Sequence, residues 1–139
     1  IETEIQVGRS ETGICLGGAI KGSKWPGELG AIGITASANG LSVFNSFNKS
    51  YQVVKRSDQP LSGNIKLSMR ISDDMSKIEF SQELNGKWVQ FYETSFDPTS
   101  FTPWGMGYRV GIVSRGEISE YGHFRSFKVT NTPKKLVSR

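Results

Sequence analysis

The sequence predicts an all-β protein, an antiparallel β-sandwich of about ten short strands. Three observations support this fold class. Apolar and polar residues alternate with a period of two in many short segments, and turn residues separate these segments at spacings of about ten residues. No window keeps the helical spacing of apolar residues over three turns. A closed barrel with the same number of strands is the alternative, because periodicity does not distinguish the two.

Length and charge restrict the domain organisation and the partners. A chain of 139 residues, 36% of them hydrophobic, can bury its own core, so we expect one sandwich domain over 1–139. Because the chain starts without Met inside a strand-like pattern, a fragment or C-terminal module of a longer protein is the alternative. The net charge of +4 is spread along the chain, which argues against nucleic acid. No apolar run approaches the roughly 18 residues of a membrane span, so we expect no membrane partner.

The first half of the chain contains five predicted strands. Ile1, Thr3, Ile5 and Val7 alternate with polar residues, as in a strand with one face in a core. The dipeptide Asn39-Gly40 between two apolar runs is typical of a tight hairpin turn. The predicted strands cover 1–7, 13–20, 30–38, 41–47 and 50–56.

The second half shows the clearest alternation, in 65–71 and its predicted partner 77–84. Asp73-Asp74 and Asn85-Gly86 supply the turn residues on either side of that partner. The segment 97–107 has two prolines and little periodicity, and a loop of this length is often functional. Further strands are predicted at 87–95, 108–114 and 123–129.

Catalytic residues in a coherent arrangement are absent from the sequence. Cys15 lies in an apolar stretch far from His123, the one histidine, so we interpret this thiol as a small buried hydrophobe. Glycoside hydrolysis requires two carboxyl groups facing each other across the bond. The nearest pairs alternate with apolar residues and are predicted to face solvent. These pairs are Glu2 with Glu4, Glu79 with Glu83, and Glu117 with Glu120.

A metal site is not predicted, because the sequence contains no cluster of His and Cys ligands. Asp73-Asp74 with Asp97 or Glu117 offers oxygen ligands for a structural calcium ion, but Asp is also a favoured turn residue. We therefore expect a plain hairpin turn here and no cofactor, with structural calcium as the alternative.

Loop aromatics are the best candidates for a binding surface. Trp25 and Trp104 occur in two loops rich in glycine and proline, where they either stack on a sugar ring or cap the edge of the core. Together with polar residues at strand ends they form our candidate carbohydrate-binding set. The set is Trp25, Trp104, Tyr108, Arg115 and Glu117.

Four segments resemble a known family of appended domains. The segments 67–71, 85–88, 108–114 and 124–129 read LSMRI, NGKW, YRVGIVS and FRSFKV. They are similar to the concanavalin A-like, jelly-roll sandwich domain of the DUF1349 type and of the C-terminal part of family 43 β-xylosidases. The resemblance implies a non-catalytic, lectin-like module associated with an extracellular or periplasmic glycosidase. It also implies polysaccharide or oligosaccharide as ligand and a neighbouring catalytic domain as a further partner.

The leading hypothesis is therefore a non-catalytic carbohydrate-binding or accessory module. A structural sandwich that docks on a partner domain is the first alternative, with the same aromatics as interface anchors. A sandwich-fold glycoside hydrolase is the second. It would require carboxylates to converge in one cleft with Tyr121 or His123.

Overall fold

A computed structural model describes residues 1–19, 29–47, 50–97 and 108–130. These residues form ten β-strands and one 3₁₀ turn, Ile118–Glu120, with no α-helix among them. The all-β prediction is confirmed. Within the described ranges, no helix has the length and apolar character needed to cross a membrane.

The strands form two antiparallel five-stranded sheets, so the sandwich prediction is confirmed and the closed barrel is wrong. Sheet I has the order β10-β1-β6-β7-β8, and sheet II has the order β5-β4-β3-β2-β9. Contacts of β2 with β1 and β6 hold the sheets face to face. The strands are β1 (Glu2–Gln6), β2 (Glu11–Ala19), β3 (Leu29–Ser37), β4 (Gly40–Asn45), β5 (Gln52–Arg56), β6 (Asn64–Ile71), β7 (Lys77–Leu84), β8 (Lys87–Ser95), β9 (Tyr108–Arg115) and β10 (His123–Lys128).

The core lies between the sheets and follows the predicted alternation. In sheet I, Leu67 and Met69 point inward from β6, and Phe80 of β7 pairs with Met69. In sheet II, Ile14 of β2 pairs with Ile34 of β3, and both are completely buried. Burial of such apolar side chains is the main favourable contribution to folding. The buried cluster comprises Ile5, Ile14, Leu16, Ile32, Ile34, Ala36, Leu41, Val43, Leu67, Met69, Ile78 and Phe80.

The predicted hairpin between β7 and β8 is confirmed. Asn85 has φ 53° and Gly86 has φ 81°, so both central residues of the turn are left-handed. Positive φ at both positions defines the type I′ turn, whose twist matches that of the flanking strands. This turn fixes the register in which β8 pairs with β7.

The turn between β6 and β7 is held by Asp74. Its Oδ1 accepts hydrogen bonds from the Ser72 hydroxyl at 2.7 Å and from the Ser76 hydroxyl at 2.7 Å. The Ser76 N–H donates to the same oxygen at 3.0 Å. These bonds lower the pKa of the Asp74 carboxyl to about 2, and the bond from Ser72 has the largest effect. The carboxylate therefore acts as the acceptor that organises a hairpin turn, as the sequence predicts.

Candidate functional site

An open groove lies at one end of the sandwich, between the β1–β2 connection and the β9–β10 connection. Its volume is about 480 Å³, which falls in the size range of small-ligand sites. We call it the end groove. Its lining residues are Gln6, Val7, Gly8, Arg9, Ser119, Glu120, Tyr121 and His123.

Backbone hydrogen bonds hold the two connections together. The Ser10 N–H donates to the Glu120 carbonyl at 2.9 Å. The Gly122 N–H donates to the buried Thr12 hydroxyl oxygen at 3.0 Å. Gln6 at the end of β1 pairs with His123 at the start of β10. Residues more than a hundred positions apart in the chain thus form the two walls of one groove.

Gly8 lets these connections approach each other. A Cβ built on Gly8 would overlap the Glu120 carbonyl oxygen and would lie 2.7 Å from the Gly122 nitrogen. Both of these atoms belong to the backbone and cannot move aside without displacing the segment that carries them. A side chain at this position would therefore force the two walls apart.

Charged groups are accessible along the groove. The Arg9 Nη1 lies 3.9 Å from the Glu120 Oε1, and the Arg9 side chain is 83% exposed. An exposed ion pair at this distance contributes little to stability, so either partner can turn toward a ligand at low cost. The groove thus presents a guanidinium and a carboxylate that are available for hydrogen bonding.

The groove brings together groups that suit a polar, ring-shaped ligand. Tyr121 supplies an aromatic ring, and His123 and Gln6 supply an imidazole and an amide. Glu120 is the one carboxylate among the lining residues, whereas hydrolysis of a glycosidic bond uses a pair of them. Tyr121 and His123 converge with the Glu120 carboxylate, as the hydrolase alternative requires, and the described lining residues include no second acid.

Two of the three carboxylate pairs noted in the sequence lie elsewhere, whereas Glu120 of the third pair lines the groove and Glu117 lies in the same connection. Glu83 makes an ion pair with Lys66 at 3.6 Å on the outer face of sheet I, and Glu79 accepts a hydrogen bond from Ser81. Glu2 is exposed at the start of β1. Among the described residues, no group of three or more His, Cys, Asp and Glu is placed to hold a metal ion.

The predicted binding residues are distributed over several places. Trp25 and Trp104 lie outside the described residues. Tyr108 and Arg115 occupy opposite ends of β9, about 23 Å apart along the strand. Glu117 is exposed in the β9–β10 connection, where its carbonyl accepts hydrogen bonds from the Glu120 N–H at 2.9 Å and the Ser10 hydroxyl at 3.4 Å. Glu117 therefore borders the connection that forms one groove wall, whereas Tyr108 does not.

Arg115 contacts an aromatic stack on the outer face of sheet II. Its guanidinium carbon lies 3.6 Å from the centre of the Tyr51 ring, and that ring stacks on Phe44 at 5.2 Å. Tyr51 precedes β5, which is about 19 Å from β9 across a flat five-stranded sheet. The contact therefore indicates that sheet II curls toward its outer face. A guanidinium over an aromatic ring is a favourable cation–π arrangement.

Cys15 lies on this same outer face, between Gly33 and Gly111 of the neighbouring strands. It is partly buried, whereas its neighbours Ile14 and Leu16 are completely buried in the core. Cys15 is therefore more exposed than the sequence analysis expects for a small buried hydrophobe. Burial still raises the pKa of the thiol, which disfavours the reactive thiolate.

Sequence reasoning missed two features of the surface. Arg9 belongs to the end groove, but only the pairing of β1 with β10 brings it near Tyr121 and His123. Trp88 is 43% exposed on the outer face of sheet I, where it pairs with Glu83. An aromatic residue beside charged residues in an alternating strand is the signal that identifies an outward position.

Comparisons of this chain with protein-family models, curated proteins and solved structures give no match.

Proposed function

We propose that this chain is a non-catalytic carbohydrate-binding module that holds a short stretch of a polysaccharide or oligosaccharide in the end groove. In this arrangement Tyr121 stacks on the apolar face of a sugar ring. Arg9, Glu120, His123 and Gln6 exchange hydrogen bonds with its hydroxyl groups. The observation that carries the proposal is the convergence of these five side chains in one open groove.

The chemistry of the lining supports a neutral, polar ligand over an apolar one. Charged and amide side chains supply both donors and acceptors, which matches hydroxyl groups that donate and accept at once. The solvent-exposed Arg9–Glu120 pair can open without a large loss of stability, so the ligand does not have to displace a strong interaction. Glu120 is the one carboxylate among the described residues that line the groove, and this supports binding over hydrolysis, which uses a pair.

The resemblance of the second half of the chain to glycosidase-appended domains supports the same ligand class. It also supports an accessory role beside a catalytic domain in an extracellular or periplasmic polysaccharide-degrading enzyme. A protein partner is the alternative class of ligand, and exposed apolar residues of β9 and β10 favour it for a different surface.

Affinity electrophoresis in gels that contain xylan, arabinan or β-glucan tests the proposal. We expect retardation of the purified chain by at least one of these polysaccharides. Tyr121→Ala and Arg9→Ala should each weaken binding by at least about 1 kcal/mol, the loss expected for an anchoring side chain. Arg70→Ala is the matched control, because Arg70 is an exposed arginine on the outer face of sheet I.

Two results would contradict the proposal. Equal retardation of the wild type and both groove variants would remove the end groove as the binding site. Release of reducing sugars from any of the three polysaccharides by the purified chain would show a catalyst, not a binding module.

A further inference from the structure

Backbone contacts fix the positions of Arg9 and Glu120 in the end groove. Arg9 lies between Gly8 and Ser10 in the β1–β2 connection. Gly8 lies against the Glu120 carbonyl oxygen, and the Ser10 N–H donates to that oxygen at 2.9 Å. The Glu120 N–H donates in turn to the Glu117 carbonyl at 2.9 Å. The two residues are therefore held side by side without any bond between their side chains.

The hydrogen-bonding groups of these two side chains are not used by the fold. The Arg9 Nη1 lies 3.9 Å from the Glu120 Oε1, which is an ion-pair separation beyond hydrogen-bond distance. Within the described residues, neither side chain donates or accepts a hydrogen bond. Arg9 offers a planar fork of N–H donors, and the Glu120 carboxylate offers only acceptors. A donor group and an acceptor group thus lie next to each other in an open groove.

Two adjacent hydroxyl groups of a sugar ring match this pair. A hydroxyl both donates and accepts, so it can donate to Glu120 while its oxygen accepts from Arg9. A hydroxyl on the next ring carbon can do the same, because a guanidinium and a carboxylate each form bidentate contacts. A hydroxyl bonded to both partners is polarised by each of them, which strengthens both hydrogen bonds. An isolated hydroxyl would leave part of the fork and one carboxylate oxygen unused.

Tyr121 provides the surface on which such a ring would lie. It follows Glu120 directly in the chain and lines the same groove. A pyranose ring that stacks on Tyr121 through its apolar face keeps its equatorial hydroxyls at the rim, free for polar groups beside the aromatic ring. The Gly122 N–H bond to the buried Thr12 hydroxyl anchors this segment to the core. Because the segment is already ordered, binding a sugar there costs less conformational entropy.

We propose that Arg9 and Glu120 together bind a vicinal diol, so that the end groove selects sugar chains whose rings keep two adjacent free hydroxyls. Chains of β-1,4-linked pyranoses, such as xylan, keep such a pair on every internal ring. Chains of β-1,3-linked glucose do not, because the linkage occupies the position between the two ring hydroxyls that stay free. The inference rests on the proposed carbohydrate binding at this groove and adds the linkage that the groove accepts.

Affinity electrophoresis with chains of different linkage tests the inference. The gels contain β-1,4-linked xylan, β-1,4-linked glucomannan or a long unbranched β-1,3-glucan, in which end rings are rare. We expect dissociation constants, by mass of polysaccharide, that are at least about tenfold smaller for a β-1,4-linked chain than for the β-1,3-glucan. Equal or tighter binding of the β-1,3-glucan would overturn the diol inference and leave carbohydrate binding standing. Retardation by none of these chains, nor by the polysaccharides named above, would contradict the proposed function itself.

Conservative variants test the pair itself. Arg9→Lys keeps the charge but loses the planar fork, and Glu120→Gln keeps the shape but loses one acceptor oxygen. Each should bind the β-1,4-linked chain at least about tenfold more weakly with an unchanged melting temperature.

The double variant should lose little more than either single variant, because both residues bind the same diol. Glu93→Gln is the matched control and should bind like the wild type. The Glu93 side chain is 38% exposed against 39% for Glu120, and it pairs with Lys77 at 3.5 Å on the outer face of sheet I. Wild-type affinity of either single variant, or additive losses in the double variant, would contradict a diol shared by Arg9 and Glu120.

Discussion

The Thr12 hydroxyl oxygen accepts a hydrogen bond from the Gly122 N–H at 3.0 Å, between residues 110 positions apart. Thr12 is completely buried in β2, and Gly122 lies between Tyr121 and His123 of the end groove. This bond therefore connects the core of sheet II with one wall of the candidate binding site. A buried N–H that loses its acceptor costs more than the bond itself contributes.

Replacing Thr12 by valine should lower the free energy of unfolding by about 1 to 3 kcal/mol, because the Gly122 N–H is left without an acceptor. Thr35→Val is the matched control. The Thr35 hydroxyl is also buried, but it has no hydrogen-bond partner in the described part of the chain. We expect its removal to leave stability unchanged or to raise it by up to about 1 kcal/mol. Urea denaturation measures both variants, and equal losses would contradict this difference between the two threonines.

Asp74→Ala should lower the free energy of unfolding near neutral pH, and this difference from the wild type should disappear in acid. The folded pKa of Asp74, about 2, lies below its ordinary value near 3.8, so the carboxylate stabilises the fold above the ordinary value. The stabilisation disappears as pH falls from the ordinary value through about 2. Denaturation curves at several pH values should show the wild type and the variant converging toward the acid limit.

Asp73→Ala is the control for that experiment, because it changes an exposed aspartate of the same turn without removing the acceptor of the Ser72 and Ser76 bonds. A stability difference for Asp74→Ala that is constant with pH would show that the carboxylate charge does not hold the turn.

Cys15 should react slowly with a thiol reagent in the folded protein and rapidly after denaturation. Burial raises its thiol pKa, so less of the reactive thiolate is present at a given pH than for a free cysteine. When labelling rates are measured from pH 7 to alkaline pH, the increase in rate should occur at a higher pH for the native protein than for the urea-denatured chain. Rapid native labelling at neutral pH would contradict the shielding of this thiol on sheet II.

The two tryptophans Trp104 and Trp88 give a test of the loop hypothesis. If Trp104 stacks on a sugar, Trp104→Ala should weaken polysaccharide binding by at least about 1 kcal/mol with little change in melting temperature. A role in the core predicts a stability loss of roughly 3 to 5 kcal/mol instead. Trp88→Ala is the control, because Trp88 is exposed on sheet I away from the end groove. Loss of binding in Trp88→Ala alone would move the carbohydrate site to that face.

Local patterns of the sequence predicted the secondary structure well. The strand predicted at 77–84 is observed over the same residues, and Asn85-Gly86 forms the expected hairpin turn. Both features are specified by residues that are adjacent in the sequence. Alternation places one set of side chains in the core, and a dipeptide with positive φ reverses the chain.

The arrangement of the site depended on the tertiary structure. Arg9 and His123 share one groove only because β1 pairs with β10, and no local pattern specifies the partner of a strand. The sequence analysis placed Tyr108 and Arg115 in one candidate site because each lies at a strand end, but they lie at opposite ends of the same strand.

By itself the sequence determined the all-β class, the strands and their inward residues, because each follows from a period of two along the chain. Only the tertiary structure decided which strands become edges. Val110 and Ile112 alternate like any core residues, and their exposure follows from the absence of a described neighbour beyond β9. Burial is a property of the assembled sheets, since the same alternation serves a central strand and an edge strand equally well.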